Sequence, residues 1–403
     1  MSQPTLAGAM QPAWSQSLST QYFVNSVAIS DDGTRVVAGT FYHDYSQGPS
    51  ASPAPDLRAK EPPRKPSGIS PNGNFGIYCY DGSGNLLWSD VEAMFEGAYW
   101  VALSGNGLVA AAAGWFSDGP PAQGLLKIYD ATNGTVLLNY TGITTRVSAV
   151  ALSSNGSVAV AMAGNTVYVF SQQNGVYSTT PTTIPLQSST AEAIAIHPDG
   201  QWLTACDSGG YVYLVTNLGG PIAVYNCQIP SQTTIHSVAI AGEANYFVAG
   251  ADDGNVYVFE TTSMIQNPGP VTLYTVSANA IIRWVACSAD ASLITVVFNL
   301  TPAGAVAALG FNGENLKSLW QQSLKQMPNS TSIDALGQYV TAADGYNGPG
   351  DFYVFAAATG TLLGSFGTPA MCWPMFLSTD GSSIAAGCDN GSLYYFTTSS
   401  LGA

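Results

Sequence analysis

The chain has 403 residues, of which 46% are hydrophobic and only 9% are charged, and its formal net charge is −15. No apolar run approaches the roughly 18 residues that a membrane-spanning helix requires, so the sequence predicts no membrane insertion. The ten Lys and Arg residues form no basic stripe, because four of them (Arg58, Lys60, Arg64 and Lys65) fall in a single insertion. An acidic body of this kind repels nucleic acid, which we exclude as a partner.

One pattern recurs eight times along the chain, an alternating apolar strand that runs into a turn, as in VNSVAISDDG from Val24. The last apolar residues before the eight turns are Ile29, Leu103, Leu152, Ile196, Ile240, Cys287, Ile333 and Leu377. After a first interval of 74 residues they are spaced 44 to 49 residues apart. A period in the forties that is filled with short strands is typical of propeller blades. The sequence therefore predicts an all-β, eight-bladed β-propeller of four-stranded antiparallel blades, with residues 1–403 as a single domain.

Each hairpin continues into a third strand rich in Tyr, Val and Phe, such as TVYVFS from Thr166, which suits a packed, pleated strand. A fourth strand follows in the earlier repeats, but the eighth repeat ends at SSLGA without one. PAWSQSLS from Pro12 has the same composition as the fourth strand SLWQQSL from Ser318. We therefore predict that residues 12–19 pair beside residues 392–397, so that the N-terminal strand completes the last blade and removes a sheet edge.

One fourth strand, GSGNLLWSD from Gly82, carries a distinctive signature in which a turn and a Gly precede a Leu-Leu-Trp run. GENLKSLW from Gly313 matches it more loosely, while TNGTVLLNY from Thr132 and ATGTLLGSF from Ala358 keep the turn and lose the Trp. The signature resembles the PQQ-type repeat, and the chain resembles the superfamily of quinoprotein-like and WD-repeat-like propellers. The Trp-Asp and Gly-His dipeptides of WD repeats are absent from it. The resemblance implies a propeller that serves either as a dehydrogenase or as a non-enzymatic scaffold.

The quinoprotein dehydrogenases that this signature resembles use adjacent cysteines near the quinone and a calcium ion held by Glu, Asn and Asp. This chain has no adjacent cysteine pair, so we predict no cofactor. Its three histidines lack close cysteine pairs and predict no metal site. The sequence contains no nucleophile elbow or phosphate-binding loop after a strand, and we assign no catalytic residue.

Enlarged loops between the second and third strands of blades 1, 2, 6 and 7 form a first candidate surface. The largest is a Pro-rich insertion in the first blade, at about residues 41–76. The loops carry five candidate binding residues, Tyr42, His43, Trp115, Phe116 and Tyr346. Aromatic rings beside carboxylates suit peptide, sugar or cation recognition. The alternative is that the aromatic side chains cover the ring and the insertion is a solvated flap.

A second candidate surface comes from the position four residues before each of the eight turns. Counted back four residues from the last apolar residue of each first strand, this position is never aliphatic and holds Asn25, Tyr99, Ser148, Glu192, His236, Arg283, Asn329 and Trp373. The first strand of a propeller blade lines the axis, so these residues should surround an axial funnel. We take five of them as candidate binding residues: Tyr99, Glu192, His236, Arg283 and Trp373.

Within this second surface, Glu192, His236 and Arg283 come from three adjacent blades. If they converge, Arg283 could hold an anionic ligand, or its neighbours could tune His236 for acid–base work. The alternative is a ring of ordinary polar residues that holds channel water.

Among the six cysteines, Cys372 and Cys388 fall nearly opposite each other across the last hairpin. We predict a disulfide between them, the alternative being buried apolar thiols. The chain lacks a recognisable signal peptide, but its Lys-poor surface, rich in Ser, Thr, Asn and Gly, favours an extracellular, periplasmic or cell-surface location.

The leading functional hypothesis is a non-enzymatic, exported or surface-associated propeller that binds a protein or glycan through its loop-rich face. The second is an enzyme, either a hydrolase or lyase or a cofactor-dependent oxidoreductase, with its site in the axial funnel. The third is a structural scaffold subunit of a larger assembly. The sequence leaves the oligomeric state open.

Overall fold

The computed structural model describes residues 8–20, 22–42, 74–93, 97–117, 123–188, 190–243, 245–278, 280–300, 303–345 and 348–401. Strands dominate these ranges. They are accompanied by one six-residue helix, α1 (Thr261–Gln266), and one turn of 3-10 helix at Thr398–Ser400. In this part of the chain no helix has the length and apolar character needed to cross a bilayer.

The strands form eight antiparallel blades, most of them meanders in which neighbours along the chain are neighbours in the sheet. In blade 3 both β13 and β14 pair with β12, in blade 8 β1 pairs with β33, and a single pair, Phe41 with Gly97, joins β3 of blade 1 to β6 of blade 2. Blade 1 comprises β2 (Phe23–Ile29), β3 (Arg35–Phe41), β4 (Asn74–Asp81) and β5 (Leu86–Ala93). Blade 2 comprises β6 (Gly97–Leu103), β7 (Val109–Ser117), β8 (Gln123–Asp130) and β9 (Val136–Asn139). Blade 3 comprises β10 (Val147–Leu152), β11 (Val158–Ala163), β12 (Thr166–Gln173), the two-residue β13 (Val176–Tyr177) and β14 (Thr182–Pro185).

Blade 4 comprises β15 (Ala191–Ile196), β16 (Trp202–Asp207), β17 (Tyr211–Thr216) and β18 (Ala223–Gln228). Blade 5 comprises β19 (Ile235–Ile240), β20 (Tyr246–Ala251), β21 (Asn255–Glu260) and β22 (Thr272–Thr275). Blade 6 comprises β23 (Ile281–Cys287), β24 (Leu293–Leu300), β25 (Ala303–Phe311) and β26 (Leu316–Ser323). Blade 7 comprises β27 (Pro328–Ile333), β28 (Tyr339–Asp344), β29 (Gly350–Ala356) and β30 (Leu362–Thr368). Blade 8 comprises β31 (Cys372–Leu377), β32 (Ser383–Cys388), β33 (Ser392–Thr397) and the N-terminal strand β1 (Trp14–Ser17).

The eight blades close into a ring. Each inner strand contacts the inner strand of the next blade, and β31 of blade 8 returns to β2 of blade 1. β1 pairs with β33 in the register Trp14 with Tyr395 to Ser17 with Ser392. The predicted eight-bladed propeller and its closure by the N-terminal strand are therefore confirmed. Only the ends of the insertion at about residues 41–76 lie within the described residues, so the single-domain assignment stays a prediction.

Apolar side chains fill the spaces between neighbouring blades. In the space between blades 7 and 8, for example, Phe352, Met375 and Phe396 are buried together. This arrangement follows from the alternating sequence pattern, since both faces of every blade are covered by a neighbour and both must be apolar.

Indole side chains of the outermost strands add a second link between blades. Trp14 of β1 donates its indole N–H to the Gly82 carbonyl of the next blade at 3.0 Å, and Trp88 of β5 donates to Ala131 at 2.7 Å. Gly84 (φ +85°) and Gly134 (φ +78°) lie against the two indole rings, and a Cβ on either glycine would come within 2.8 Å of the ring. The Gly and Trp of the sequence signature therefore meet across a blade boundary.

The turns at the ends of the inner strands are tied together around the axis. Asp31 N donates to Gly105 O at 2.9 Å, and Asp380 N of blade 8 donates to Asp31 O at 3.0 Å, which joins the last blade to the first. Equivalent bonds join blades 2 to 3, 3 to 4, 5 to 6, 6 to 7 and 7 to 8. We call this end of the ring the turn face and the opposite end, where the inner strands begin, the ring face.

Within five of these turns a Ser hydroxyl donates to the Asp or Asn two residues later. The pairs are Ser30 with Asp32, Ser104 with Asn106, Ser153 with Asn155, Ser288 with Asp290, and Ser378 with Asp380. In the three turns with Asp, burial acts to raise the carboxyl pKa, but the hydrogen bonds from Ser and backbone N–H prevail and lower the pKa. A carboxyl group whose pKa is lower in the folded than in the unfolded state stabilises the fold at pH values above its unfolded-state pKa. This stability is lost as the pH falls through the folded-state pKa.

Between pH 6 and pH 3 we expect the melting temperature of the triple variant Asp32→Asn, Asp290→Asn, Asp380→Asn to fall by less than that of the wild type. The chain already uses Asn at the same place in two turns, so the amide oxygen can accept the same bonds without a titrating proton. Thermal unfolding followed by circular dichroism across this pH series measures the effect. An unaltered pH dependence in the triple variant would show that these carboxylates do not cause the acid sensitivity.

Candidate interaction surface

Every inner strand carries a β-bulge near its start. In each of the eight blades the register with the second strand shifts at this point and leaves one extra residue on the inner strand. The shifts fall at Asn25, Tyr99, Ser148, Glu192, His236, Arg283, Asn329 and Trp373, which we call the bulge ring. A bulge changes the direction of a side chain and often lies beside a functional site. The polar or aromatic positions found in the sequence are thus the eight bulge positions.

The two candidate surfaces of the sequence analysis lie at one end of the molecule. Tyr42 follows the end of β3 and Trp115 lies in β7, so both are at the ring face, where the inner strands also begin. Both side chains are half-buried, and the Tyr42 ring lies edge-on to Tyr22 at 5.8 Å. His43, Tyr346 and the side chain of Phe116 fall outside the described residues, so their roles stay predictions.

Three bulge-ring residues bind the residue that lies 16 positions later, at or just past the end of the second strand of the same blade. His236 Nε2 lies 2.5 Å from Asp252 Oδ1, and the Trp373 indole N–H donates to the Asp389 carboxylate. When the Asn299 amide oxygen faces Arg283, it accepts bonds from Nε at 2.8 Å and from Nη2 at 3.0 Å. The sequence analysis missed these partners, although their constant spacing is a signal that could have identified them.

Arg146, a cation that the sequence analysis also missed, lies just before β10. Its guanidinium carbon is 5.6 Å from the centre of the Phe41 ring and 5.4 Å from that of Tyr99. The two rings pack edge to face at 5.2 Å, and Asn25 Nδ2 donates to the Tyr99 carbonyl at 2.9 Å. Cation–π contacts of this kind contribute about 0.5–2 kcal/mol. They give blades 1 to 3 an arc of aromatic rings around one positive charge.

The middle of the axis is filled by aromatic side chains from blades on opposite sides of the ring. Trp100 in β6 and Trp284 in β23 each follow a bulge residue, and their rings stack at 5.6 Å with an interplanar angle of 20°. Phe376 of β31 adds a third ring, 5.7 Å from Trp284. Contacts between blades 2 and 6 can form only across the axis. Aromatic rings therefore meet across the axis next to the bulge ring, and the axial funnel itself stays a prediction.

The predicted cluster of Glu192, His236 and Arg283 occupies equivalent bulges on the adjacent strands β15, β19 and β23. Glu192 and His236 are 3% and 6% exposed, whereas Arg283 is half-buried. His236 and Arg283 are each oriented by a partner in their own blade. Convergence of the three residues on one small ligand stays a prediction.

The disulfide predicted between Cys372 and Cys388 stays a prediction. The two are direct cross-strand partners and carry free thiols in the structure, as do the other four cysteines. The two thiols are fully buried and share a hydrogen bond instead of a covalent bond. Among the residues that the structure describes, no group of three or more His, Cys, Asp and Glu side chains could hold a metal ion.

Comparison with solved structures identifies the fold class, while no family model and no curated protein matches the chain. Sqt1 from Chaetomium thermophilum superposes with a TM-score of 0.69 at 12% identity, covering 95% of this chain and 100% of that chain. The Cps50 (Swd1) β-propeller domain of Myceliophteria thermophila gives 0.58 at 14% identity, covering 74% and 96%. The RRP9 WD40 repeats give 0.56 at 15% identity, covering 84% and 93%.

These comparisons define the fold as a WD-repeat-like β-propeller. The predicted resemblance to WD-repeat-like propellers is thereby confirmed. The predicted resemblance to PQQ-type repeats finds no support among the structural neighbours. The predicted extracellular, periplasmic or cell-surface location is wrong. The finding that overturns it is the set of structural neighbours, one of which was solved with the N-terminus of a ribosomal protein. The composition of a surface carries no direct information about the compartment, which is the reason for the error.

Proposed function

We propose that the chain is a non-enzymatic protein-interaction propeller whose ring face binds a segment of a partner protein. The observation that carries the proposal is the bulge at the start of all eight inner strands, which places a polar or aromatic residue at the same end of the axis in every blade. Ser148, Arg283 and Asn329 are partly exposed there, while the other five bulge residues are buried beside them. A bulge redirects a side chain and often lies beside a functional site. The fold adds support, because Sqt1, which this chain resembles in fold, was solved bound to the N-terminus of ribosomal protein L10.

The chemistry of the ring face suits a protein partner. Tyr, Trp and Arg dominate the binding energy of protein interfaces, and Tyr42, Trp115 and Arg146 are partly exposed at this face. Arg146 is held against two aromatic rings, and Arg283 is held by Asn299. Side chains that are fixed before binding lose little entropy when a partner docks, which favours affinity.

Binding explains this arrangement better than catalysis in the funnel. His236, Arg283 and Trp373 are each paired with a residue of their own blade, so the bulge ring forms a fixed surface. The rings of Trp100 and Trp284 stack across the axis next to it. A surface of side chains that are fixed before binding suits a protein segment, and no observation favours a glycan.

The proposal is tested by partner capture from the source organism with three matched variants. We expect Trp115→Ala and Arg146→Gln to weaken binding of the captured partner by about 2 kcal/mol each, a factor of roughly 30 in Kd. Leu336→Ser on the turn face is the control, because Leu336 is 75% exposed and its loss should leave the affinity unchanged. Equal melting temperatures would show that each variant is folded. A partner lost from the Leu336 variant but retained by the other two would overturn the proposal.

A further inference from the structure

The two cysteines of blade 8 have the backbone geometry of a cross-strand disulfide. Cys372 and Cys388 are Cα partners, and the backbone N–H of Asp389 donates to the Met371 carbonyl at 3.0 Å. In an antiparallel sheet, a backbone hydrogen bond between the neighbours of two facing residues marks those two residues as a non-hydrogen-bonded pair. The Cα atoms of such a pair are about 4.5 Å apart. Disulfides span Cα separations of about 4.4–6.8 Å. A bridge could therefore form without a shift of either strand.

The thiol chemistry of the pair favours exchange. Burial raises the pKa of Cys372, which keeps its proton and donates it in a hydrogen bond to Cys388 Sγ. That bond lowers the pKa of Cys388, and the Thr368 hydroxyl lies 3.3 Å from Cys372 Sγ. The thiolate is the reactive form of cysteine, and two adjacent thiols supply one sulfur to attack an oxidant and a second to resolve the mixed disulfide.

The pair lies directly beneath the bulge ring. The residues that follow the two cysteines, Trp373 and Asp389, are hydrogen-bonded to each other across the same two strands. Asn329 of the neighbouring blade donates to the Cys372 carbonyl at 2.6 Å. Both thiols are 0% exposed. A bond between their sulfurs would act directly on Trp373 and Asp389, because each of these residues follows one of the two cysteines in its strand.

We propose that Cys372 and Cys388 are a reversible dithiol–disulfide site whose oxidation alters the ring face at Trp373. The oxidant is a small-molecule disulfide of the glutathione class. The thiolate of one cysteine attacks one sulfur of the oxidant and releases one thiol, which leaves a mixed disulfide. The second cysteine then attacks the protein sulfur of that mixed disulfide and releases the second thiol. Two protein thiols are oxidised, one small disulfide is reduced to two thiols, and both protons leave with the released thiols.

Matched variants come from the chain itself. Blade 3 has Val147 opposite Ala163 at the equivalent register, and blade 5 has Ile235 opposite Ala251. Cys372→Val and Cys388→Ala therefore place at this position a pair that the fold already accommodates. Trp373→Phe keeps an aromatic ring at the bulge and removes the indole that reports on it.

The test equilibrates the folded protein with defined ratios of reduced to oxidised glutathione, followed by alkylation and peptide mass spectrometry. We expect a bridge between Cys372 and Cys388 alone, with Cys79, Cys206, Cys227 and Cys287 alkylated throughout. Neither Cys372→Val nor Cys388→Ala should form any bridge. A bridge that appears only after denaturation, or between other cysteines, would overturn the proposal.

Tryptophan emission during the same titration tests the link to the ring face. We expect a change in emission that follows bridge formation in the wild type and is absent from Trp373→Phe. A bridge that forms while wild-type emission stays constant would overturn the coupling to Trp373.

Discussion

Removal of residues 1–20 is expected to abolish cooperative thermal unfolding of the propeller. Among the described residues, β1 is the strand that brings the start of the chain to blade 8, and its loss leaves β33 as an unpaired edge. The deletion also removes Trp14, which stacks on Tyr395 at 4.9 Å and donates to the Gly82 carbonyl of blade 1. Met10, buried between blades 7 and 8, is lost as well. Differential scanning calorimetry and size-exclusion chromatography should show a broad transition and aggregation.

The matched control for this deletion is Trp14→Phe. It keeps β1 and a stacking ring on Tyr395 but removes the indole N–H, and it should cost about 1–2 kcal/mol while unfolding stays cooperative. A truncated chain that melts with the full-length profile would contradict the role of β1 in closing the ring.

Lys127→Met is expected to lower the free energy of unfolding by about 2 kcal/mol. Lys127 of β8 bridges two carboxylates of β5 in the neighbouring blade, Asp90 at 2.8 Å and Glu92 at 2.5 Å, and its side chain is only 9% exposed. The Tyr129 hydroxyl also donates to Asp90 at 2.8 Å. Burial opposes the charge of Lys127, yet the hydrogen bonds to the two carboxylates hold its pKa above the usual value. Without the ammonium group, two like charges remain close together between blades 1 and 2.

The compensating variant is Lys127→Met combined with Asp90→Asn and Glu92→Gln. It removes the uncompensated charges and should recover most of the lost stability, since replacing a whole buried ion cluster costs far less than breaking it. Urea denaturation of the three proteins measures both effects. A single Lys127→Met variant with wild-type stability would show that the ion pairs contribute nothing.

The fold was predictable because its signals are local and repeated. The hairpin period gave the number of blades, and the likeness of PAWSQSLS to SLWQQSL gave the closing strand. The bulge ring was found as a column of non-aliphatic residues, but an alternating pattern cannot show a register shift. That shift depends on how the first strand pairs with the second.

The parts of the surface that escaped prediction depend on contacts between distant segments. Arg146 precedes its strand and belongs to no repeated position, so nothing in the repeat marks its approach to Phe41 and Tyr99. The stacking of Trp100 on Trp284 depends on the diameter of the closed ring. The register of Cys372 with Cys388 was foreseen, but the covalent state of a thiol pair depends on the redox poise of its compartment.

Hydrogen–deuterium exchange of the propeller with and without its captured partner tests the central claim most directly. We predict slower exchange in the complex at the starts of the inner strands and at the segments around Tyr42, Trp115 and Arg146. The turns at Asp31, Asn106 and Asp380 should exchange at the same rate in both states. Protection confined to those turns or to the outermost strands would place the partner elsewhere and contradict the assignment of the ring face as the binding surface.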